Sequence, residues 1–177
     1  MTLETLITSK TRLRIIQKFF LNPESSSYLR GLAEEFGESS NAIRVELNRF
    51  EQAGLLQSES KGNKKMFMAN TDHPLYDEIH SIVRKTFGID KIVEHVIERM
   101  GDVQEAYLTG DFADGVNGPS LDIVFVGSDI RTDYLVSLIG KAEKLIKKRI
   151  RYLVMKPEEA KGFLVSKQPN MLLWKSE

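Results

Sequence analysis

The 177-residue sequence has no cysteine and only three histidines. Without thiols the chain can form no disulfide, no thiolate metal site and no cysteine nucleophile. His73, His80 and His95 share no spacing typical of metal ligands. We therefore expect no metal site and no cofactor, and we expect the histidines to be ordinary surface or core residues.

Long apolar runs are missing as well. No stretch of about 18 apolar residues is present to cross a membrane. Residues 1–10 lack the basic start and the apolar core of a secretory signal. We expect a cytoplasmic protein that has no membrane partner.

The sequence also has no excess charge of either sign, because 25 basic residues balance 25 acidic ones. Residues 1–70 carry ten Lys and Arg against eight Asp and Glu, which leaves two more acidic than basic residues in the remainder. This balance argues against a protein that coats nucleic acid without specificity. Any nucleic-acid site must therefore depend on where its charges lie.

Apolar residues recur at helical spacing through the N-terminal part of the chain. They predict a first helix over residues 3–20 that stops at Asn22-Pro23. The serines that follow predict a connector. A second helix over Tyr28–Phe36 ends at Gly37, a residue suited to a left-handed cap.

A third helix follows, and either Ser39 or Ser40 has the chemistry of its N-cap. The helix closes at Ala53-Gly54. Its apolar positions recur at helical spacing and define a buried face. They are Ala42, Ile43, Leu47 and Phe50.

Two segments typical of strands come next, Leu55–Ser60 and Lys65–Asn70. The four residues between them contain a Gly-Asn pair, which indicates a hairpin turn. Asp72-His73-Pro74 then interrupts the chain, and a helix over 75–87 ends before a glycine. We interpret residues 73–88 as a linker helix that separates domains at 1–72 and 89–177.

Helices followed by a basic hairpin, in this order, are typical of a winged helix-turn-helix, whose third helix enters the major groove of DNA. Arg pairs with guanine, Asn with adenine, and Val contacts the thymine methyl group, while lysines at the wing suit phosphates. The predicted contacts to double-stranded DNA are Ser39, Ser40, Asn41, Arg44, Val45, Asn48, Arg49, Lys61, Asn63, Lys64 and Lys65.

Two observations qualify this interface. Arg44 or Lys64 alone is equally consistent with a solvated surface, so DNA binding is favoured only by the convergence of several such residues. The nearby glutamates reduce the positive charge, which predicts modest affinity per monomer. They are Glu38, Glu46 and Glu51. A winged helix that docks a protein partner is the alternative interpretation.

Three fragments of this region resemble the ArsR-type winged-helix repressors. They are Thr8–Ile15, Tyr28–Ala33 and Leu47–Leu56, in the order and spacing of that family. The resemblance covers residues 3–70 and implies a homodimer that reads two half-sites. Metal-sensing members use Cys or His clusters, so the resemblance does not extend to metal sensing here.

Helical and extended patterns alternate in the second half of the chain. Helices are predicted over 89–100 and 132–147 and after Pro157, and strands over 103–109, 121–126, 150–155 and 170–174. A glycine-rich loop spans 110–119. This alternation indicates an α/β or α+β domain whose sheet is covered by helices.

Thr109–Gly115 followed by Ser120–Gly127 resembles the core of the nucleotidyltransferase fold of polymerase-beta type. In that family a Gly-Ser pair opens a triphosphate-binding helix. Two acidic residues one apart, and a third on a later strand, hold two metal ions. The resemblance covers about residues 90–160. It implies a degenerate site formed by Gly110, Asp111, Ser120, Asp122 and Arg151.

The degeneracy follows residue by residue from the resemblance. Asp111 stands at the phosphate-binding serine, Ser120 at the first metal-binding aspartate, and Arg151 near the third acidic position. One carboxylate that faces arginines does not assemble two divalent cations. We therefore expect no catalytic residue and no transferase activity. Asp111 and Asp114 are interpreted as turn residues, and the alternative is a rebuilt acidic cluster with Asp122.

Together these patterns predict an α+β protein with an N-terminal winged helix-turn-helix and a C-terminal nucleotidyltransferase-like α/β domain. We expect a sequence-specific transcriptional regulator and not an enzyme. The second domain would serve in homodimerisation or in binding an unknown small-molecule or protein effector. The alternative is an active, metal-dependent nucleotidyltransferase that holds its substrate with the winged helix.

Overall fold

The computed structural model describes residues 3–116 and 118–176 of the chain. Met1, Thr2 and Glu177 of the predicted domains, and Asn117 of the predicted glycine-rich loop, lie outside the described residues. The chain divides into two compact units, residues 1–86 and 87–177, here called the N-terminal and the C-terminal unit. Among the described residues, no helix has both the length and the apolar character that a membrane crossing requires.

The N-terminal unit contains helices packed on a small antiparallel sheet. Its helices are α1 (Leu3–Leu6), α2 (Lys10–Leu21), α3 (Leu29–Phe36), α4 (Ser40–Gln52) and α5 (Tyr76–Phe87, of which the last residue belongs to the next unit). Its strands are β1 (Ser26–Tyr28), β2 (Leu56–Lys61) and β3 (Lys64–Ala69), in the order β1-β3-β2.

The buried faces of α2, α3 and α4 form the core of this unit. Phe19, Phe20, Leu32 and Ile43 are completely buried, and Leu47 is nearly so. The apolar spacing along each helix predicts these positions, because residues three and four apart share one face. Gly37 ends α3 in the left-handed conformation, with φ 63°, as the sequence predicts.

Two local predictions for this unit are wrong. The predicted first helix is two helices, because the hydroxyl of Ser9 accepts a hydrogen bond from the amide of Arg12 at 3.2 Å and so starts α2 separately. The predicted serine connector contains β1, in which Ser27 pairs with Phe67 of β3. Tyr28 therefore ends a strand and does not begin the second helix.

Helix α5, which falls in the predicted linker, packs on α2. The rings of Tyr76 and Phe20 lie 5.8 Å apart between centroids. Nδ1 of His80 lies 2.6 Å from the carbonyl oxygen of Phe20. Because a carbonyl can only accept, this ring nitrogen must donate its proton there. These contacts hold α5 within the N-terminal unit.

The C-terminal unit is a four-stranded sheet with helices. Its elements are α6 (Ile89–His95), β4 (Glu105–Thr109), β5 (Ser120–Val126), α7 (Thr132–Ile146), β6 (Arg149–Met155), α8 (Pro157–Ser166) and β7 (Asn170–Lys175). The strand order is β6-β5-β4-β7. Strands β5 and β6 are parallel, and the other pairs are antiparallel.

Alternation along β5 decides which side chains share a face of this sheet. Val124 and Val126 pack with Ala160 of α8. Because alternate residues of a strand point to the same side, Asp122 lies on this face too. Asp122 and Phe163 of α8 line a groove.

Candidate nucleic-acid interface and C-terminal groove

Helix α4 begins at a serine cap and carries the predicted base-reading residues. The hydroxyl of Ser39 accepts a hydrogen bond from the amide of Ala42 at 3.2 Å, so Ser39 is the N-cap and Ser40 is the first helical residue. The five outward predictions on α4 are all exposed. They are Asn41, Arg44, Val45, Asn48 and Arg49.

Asn41, Arg44 and Asn48 lie on one face of α4, because their spacings of three and four residues match the helical repeat. Arg44 and Asn48 line a groove of about 510 Å³ between α4, the start of α3 and the hairpin. Asn63, Lys64 and Lys65 line its other side. The groove therefore brings residues from the predicted third helix and the predicted wing together.

Arg30 of α3 also lines this groove and is exposed, although the sequence interpretation did not include it. The helical pattern of the second helix could have indicated it. Leu32 is buried and Leu29 is half-buried, whereas Arg30 is exposed. The groove thus has cationic side chains from three elements.

The lysines of the wing have different surroundings. Nζ of Lys64 lies 3.9 Å from the centroid of the Tyr28 ring, a cation–π distance that leaves the charge exposed. Nζ of Lys65 instead binds the carboxylate of Glu51 at 2.7 Å. This bond, with a second one from the hydroxyl of Ser58, lowers the pKa of Glu51. Lys65 is therefore neutralised by a partner on α4.

Arg49 is also paired in the structure. Its guanidinium binds Glu46 at 3.0 Å. Glu46 accepts two more hydrogen bonds from Arg12 of α2, at 3.0 and 3.2 Å, which raise the pKa of Arg12. Two arginines thus share one nearly buried carboxylate. The predicted DNA contact of Arg49 competes with this ion pair.

In the C-terminal unit, Asp122 of β5 and Arg151 of β6 are direct neighbours across the two strands. Nε of Arg151 lies 2.6 Å from one oxygen of Asp122, and a second nitrogen lies 2.7 Å from the other. This two-pronged pair raises the pKa of Arg151. Both oxygens of the carboxylate are therefore occupied by one guanidinium.

The remaining predicted residues of this site differ in how they relate to the Asp122–Arg151 pair. Gly110 has φ +69°, and a Cβ there would lie 3.1 Å from an oxygen of Asp122, so both conformation and space favour glycine. Asp111 is exposed on the turn that follows, where its carbonyl accepts from the amide of Val116. Ser120 starts β5 opposite Arg149.

A groove of about 260 Å³ adjoins the pair. Gly110, Asp122, Arg151 and Lys167 contribute polar groups, and Phe163 contributes an apolar wall. Sequence reasoning had no signal for Lys167 or Phe163, because α8 reaches the groove only through the packing of that helix on the sheet.

Divalent metal ions, which the nucleotidyltransferase resemblance implies, do not fit these residues as they stand. Asp122 has both oxygens on Arg151. Within residues 3–116 and 118–176, no three acidic or histidine side chains converge in a way that would hold a metal. A two-metal centre needs several carboxylate ligands, so no metal-dependent step is derived for this groove.

No protein-family model matches the chain, and no curated protein matches it in sequence. Solved structures do resemble it. HlyU of Vibrio cholerae N16961, a winged-helix regulator, matches 48% of this chain and 84% of its own at 13% identity and a TM-score of 0.38. One chain of the toxin–antitoxin structure MntA–HepT matches 50% of this chain and 71% of its own length at 15% identity and a TM-score of 0.38.

A candidate nucleotidyltransferase of Sulfolobus solfataricus matches 50% of this chain and 78% of its own, at 23% identity and a TM-score of 0.34. The described helices and strands make the chain a mixed α+β protein, so the predicted fold class is confirmed. The prediction that the protein is not an enzyme is wrong against this comparison, because the neighbours include a protein of an enzyme class.

Proposed function

We propose that the N-terminal unit binds double-stranded DNA and that the protein is a sequence-specific transcriptional regulator. One observation carries the proposal. Three cations, Arg30, Arg44 and Lys64, line a single groove together with Asn48. In the part of the chain that the structure describes, none of the three cations has a carboxylate partner.

The chemistry of these side chains fits a duplex. A helix of 13 residues such as α4 is about 20 Å long and enters a major groove readily. There Arg44 would bind O6 and N7 of a guanine, and Asn48 would bind N6 and N7 of an adenine. Arg30 and Lys64, on either side, would bind phosphates and hold the helix in register.

The ion pairs around the groove reduce its non-specific affinity for DNA relative to its sequence-specific affinity. Glu51 neutralises Lys65, and Glu46 neutralises Arg49, so the unspecific attraction to phosphates is reduced. Base contacts from Arg44 and Asn48 then carry a larger share of the affinity. A homodimer that reads two half-sites would raise the affinity of the modest single interface, as the ArsR resemblance implies.

The test is a selection of binding sites from random duplexes with the full-length protein. We expect one enriched motif with two-fold symmetry, because a symmetric dimer presents two copies of α4. An enriched motif without symmetry would support sequence-specific binding but refute the symmetric dimer. No enrichment would refute sequence-specific binding.

The C-terminal groove supports a second candidate function, binding of a nucleoside triphosphate through its phosphates. The specific observation is that Arg151 and Lys167 lie beside Asp122 in an open groove, where cations suit the phosphates of a nucleoside triphosphate. Titration of the full chain with a fluorescent nucleoside triphosphate, without magnesium, tests it.

For this candidate we expect saturable binding of the triphosphate that is weakened in Lys167→Gln. The matched control is Lys161→Gln, an exposed lysine of α8 outside the groove, which should bind normally. Wild-type protein that binds no triphosphate, or a Lys167→Gln variant that binds as tightly as the control, would refute phosphate binding at this groove.

A further inference from the structure

The C-terminal unit concentrates its positive charge in one short segment. It contains thirteen basic and fourteen acidic residues, yet six of the thirteen fall within Lys141–Arg151 beside a single acid, Glu143. This segment covers the end of α7 and the start of β6. A nearly neutral unit thus has a strongly basic surface.

The acidic residue in the segment does not neutralise it. The carboxylate of Glu143 accepts a hydrogen bond from the amide of Ile150 at 2.8 Å, which directs it to the backbone of β6. Lys144, Lys147 and Arg149 are exposed. None of the three has a carboxylate partner within residues 3–116 and 118–176.

Two other cations of the segment have structural roles. Nζ of Lys148 donates to the carbonyl of Gly118 at 3.0 Å and lies 5.0 Å from the ring centroid of Phe112. Arg151 binds Asp122. Of the four remaining cations, Lys141 is exposed but does not line the groove described below. The other three, Lys144, Lys147 and Arg149, are called the basic ridge.

Helix electrostatics explain only part of the basic ridge. Cations are favoured in the last turn of a helix because its carbonyls carry partial negative charge, and this effect accounts for Lys144. It does not fully account for Lys147, which is the left-handed residue after α7, with φ 56°. Glycine or asparagine is favoured at such a position. Arg149 belongs to β6, beyond the reach of this effect.

The three side chains also surround a concave surface. They line an open groove of about 480 Å³ together with Lys148, Glu143, Pro119 and Gly140, so four cations face one carboxylate there. The lining residues in the described chain include no aromatic side chain on which an unpaired base would stack. Point charges around an open groove without a stacking platform suit the phosphates of a duplex.

We propose that the basic ridge is a second DNA-binding surface, which binds the phosphate backbone of double-stranded DNA without reading its sequence. The choice of DNA rests on the proposed function of the N-terminal unit, because both units belong to one chain. DNA held by one unit is then at a high effective concentration for the other. The ridge would increase the salt dependence of binding.

The test measures binding of a mixed-sequence duplex to the full-length protein by fluorescence anisotropy over a range of salt concentrations. The ridge variant is Lys144→Gln, Lys147→Gln, Arg149→Gln. The matched control, Lys91→Gln, Arg99→Gln, Lys161→Gln, removes two lysines and one arginine that are exposed elsewhere on the same unit. Circular dichroism checks the fold of both variants.

We expect the slope of log affinity against log salt to become shallower by about 0.9 for each phosphate that is no longer neutralised, or about 2 to 3 in the ridge variant. The control should keep the wild-type slope. The charge-retaining variant Lys144→Arg, Lys147→Arg, Arg149→Lys should also keep it, even if the Gln variant unfolds. Equal slopes for ridge and control variants, or a shallower slope in the charge-retaining variant, would overturn the proposal.

Failure of the ridge is distinguishable from failure of the winged helix. In an Arg44→Ala, Asn48→Ala background, mixed-sequence binding that disappears when the ridge is neutralised supports the ridge, whatever the winged helix reads. Wild-type binding that depends on Arg44 and Asn48 but not on the ridge refutes only the ridge. Binding to phosphatidylserine vesicles that needs the ridge, with unchanged duplex binding, would contradict DNA as its partner.

Discussion

The identity of a side chain alone does not decide its role at the proposed DNA interface, and the two lysines of the wing illustrate this at the scale of single residues. Lys64 and Lys65 are adjacent and exposed. Lys65 is bound by Glu51 at 2.7 Å, whereas Lys64 lies over Tyr28. One of two neighbouring lysines is therefore available to phosphates, and the other has to give up an ion pair first.

The substitution Glu51→Gln should strengthen unspecific DNA binding, because it releases Lys65. We expect the salt slope for a mixed-sequence duplex to become steeper by up to about 0.9, the value for one more neutralised phosphate. Glu59→Gln, an exposed wing glutamate, is the control for the removal of one negative charge. An equal increase in both variants would show that general charge, and not Lys65, is responsible.

The pKa of Glu51 sets the pH range of this effect. Its hydrogen bonds to Lys65 and Ser58 lower the pKa, so the pair is present above the ordinary carboxylate value of about 4.3 and is lost as the pH falls through the lowered value. At neutral pH Lys65 therefore stays neutralised.

Exposed positions could be predicted from the sequence, whereas their partners could not. The helical repeat predicts that Asn41, Arg44 and Asn48 share one face of α4. Glu46 binds both Arg12 and Arg49. Its bond to Arg12 depends on the packing of α2 against α4, because the two residues lie 34 positions apart in the sequence. The apolar spacing within one helix cannot predict such contacts between helices.

At the scale of elements, strong periodic patterns predicted the helices and strands well, and short segments failed. The pattern predicted α4, α7, β5 and the hairpin turn closely. Strand β1 has three residues, too few for an alternating pattern, and it exists because β3 offers an edge to pair with. Tertiary pairing of this kind overrides local sequence preference.

The ion pairs of Glu46 tie α2 to α4, so Glu46→Ala should destabilise the N-terminal unit. It removes the acceptor of two arginines, and we expect a decrease of about 1 to 3 kcal/mol in the free energy of unfolding. Urea unfolding followed by circular dichroism measures it. Fluorescence of Trp174, the single tryptophan, reports on the C-terminal unit in the same experiment.

The control for this substitution is Glu34→Ala, which removes an exposed glutamate of α3 and should change the stability little. Equal stability of the Glu46→Ala and Glu34→Ala variants would contradict a structural role for the Arg12–Glu46–Arg49 cluster.

At the scale of the whole molecule, the fold and the function were not equally predictable. Fragments in order and spacing predicted both halves of the α+β fold. The same fragments led to the prediction of a non-enzyme, which the comparison with solved structures contradicts. The missing acidic residues argued only against a two-metal site. The absence of one kind of site does not exclude every activity of a domain.

The whole-molecule proposal is a regulator in which base reading and backbone binding are separate. Arg44 and Asn48 would read the sequence, while Arg30, Lys64 and the basic ridge would bind phosphates. This division follows from which cations are open and which are already paired with carboxylates. Sequence preference and salt dependence should therefore respond to different substitutions.

The measurement that tests this account most directly is the selection of binding sites repeated with the full-length Arg44→Ala, Asn48→Ala variant. The account predicts that the motif enriched by the wild-type protein disappears, while the variant still binds mixed-sequence duplex at low salt. If the variant enriches the same motif to the same degree, α4 does not read the sequence and the central claim is contradicted.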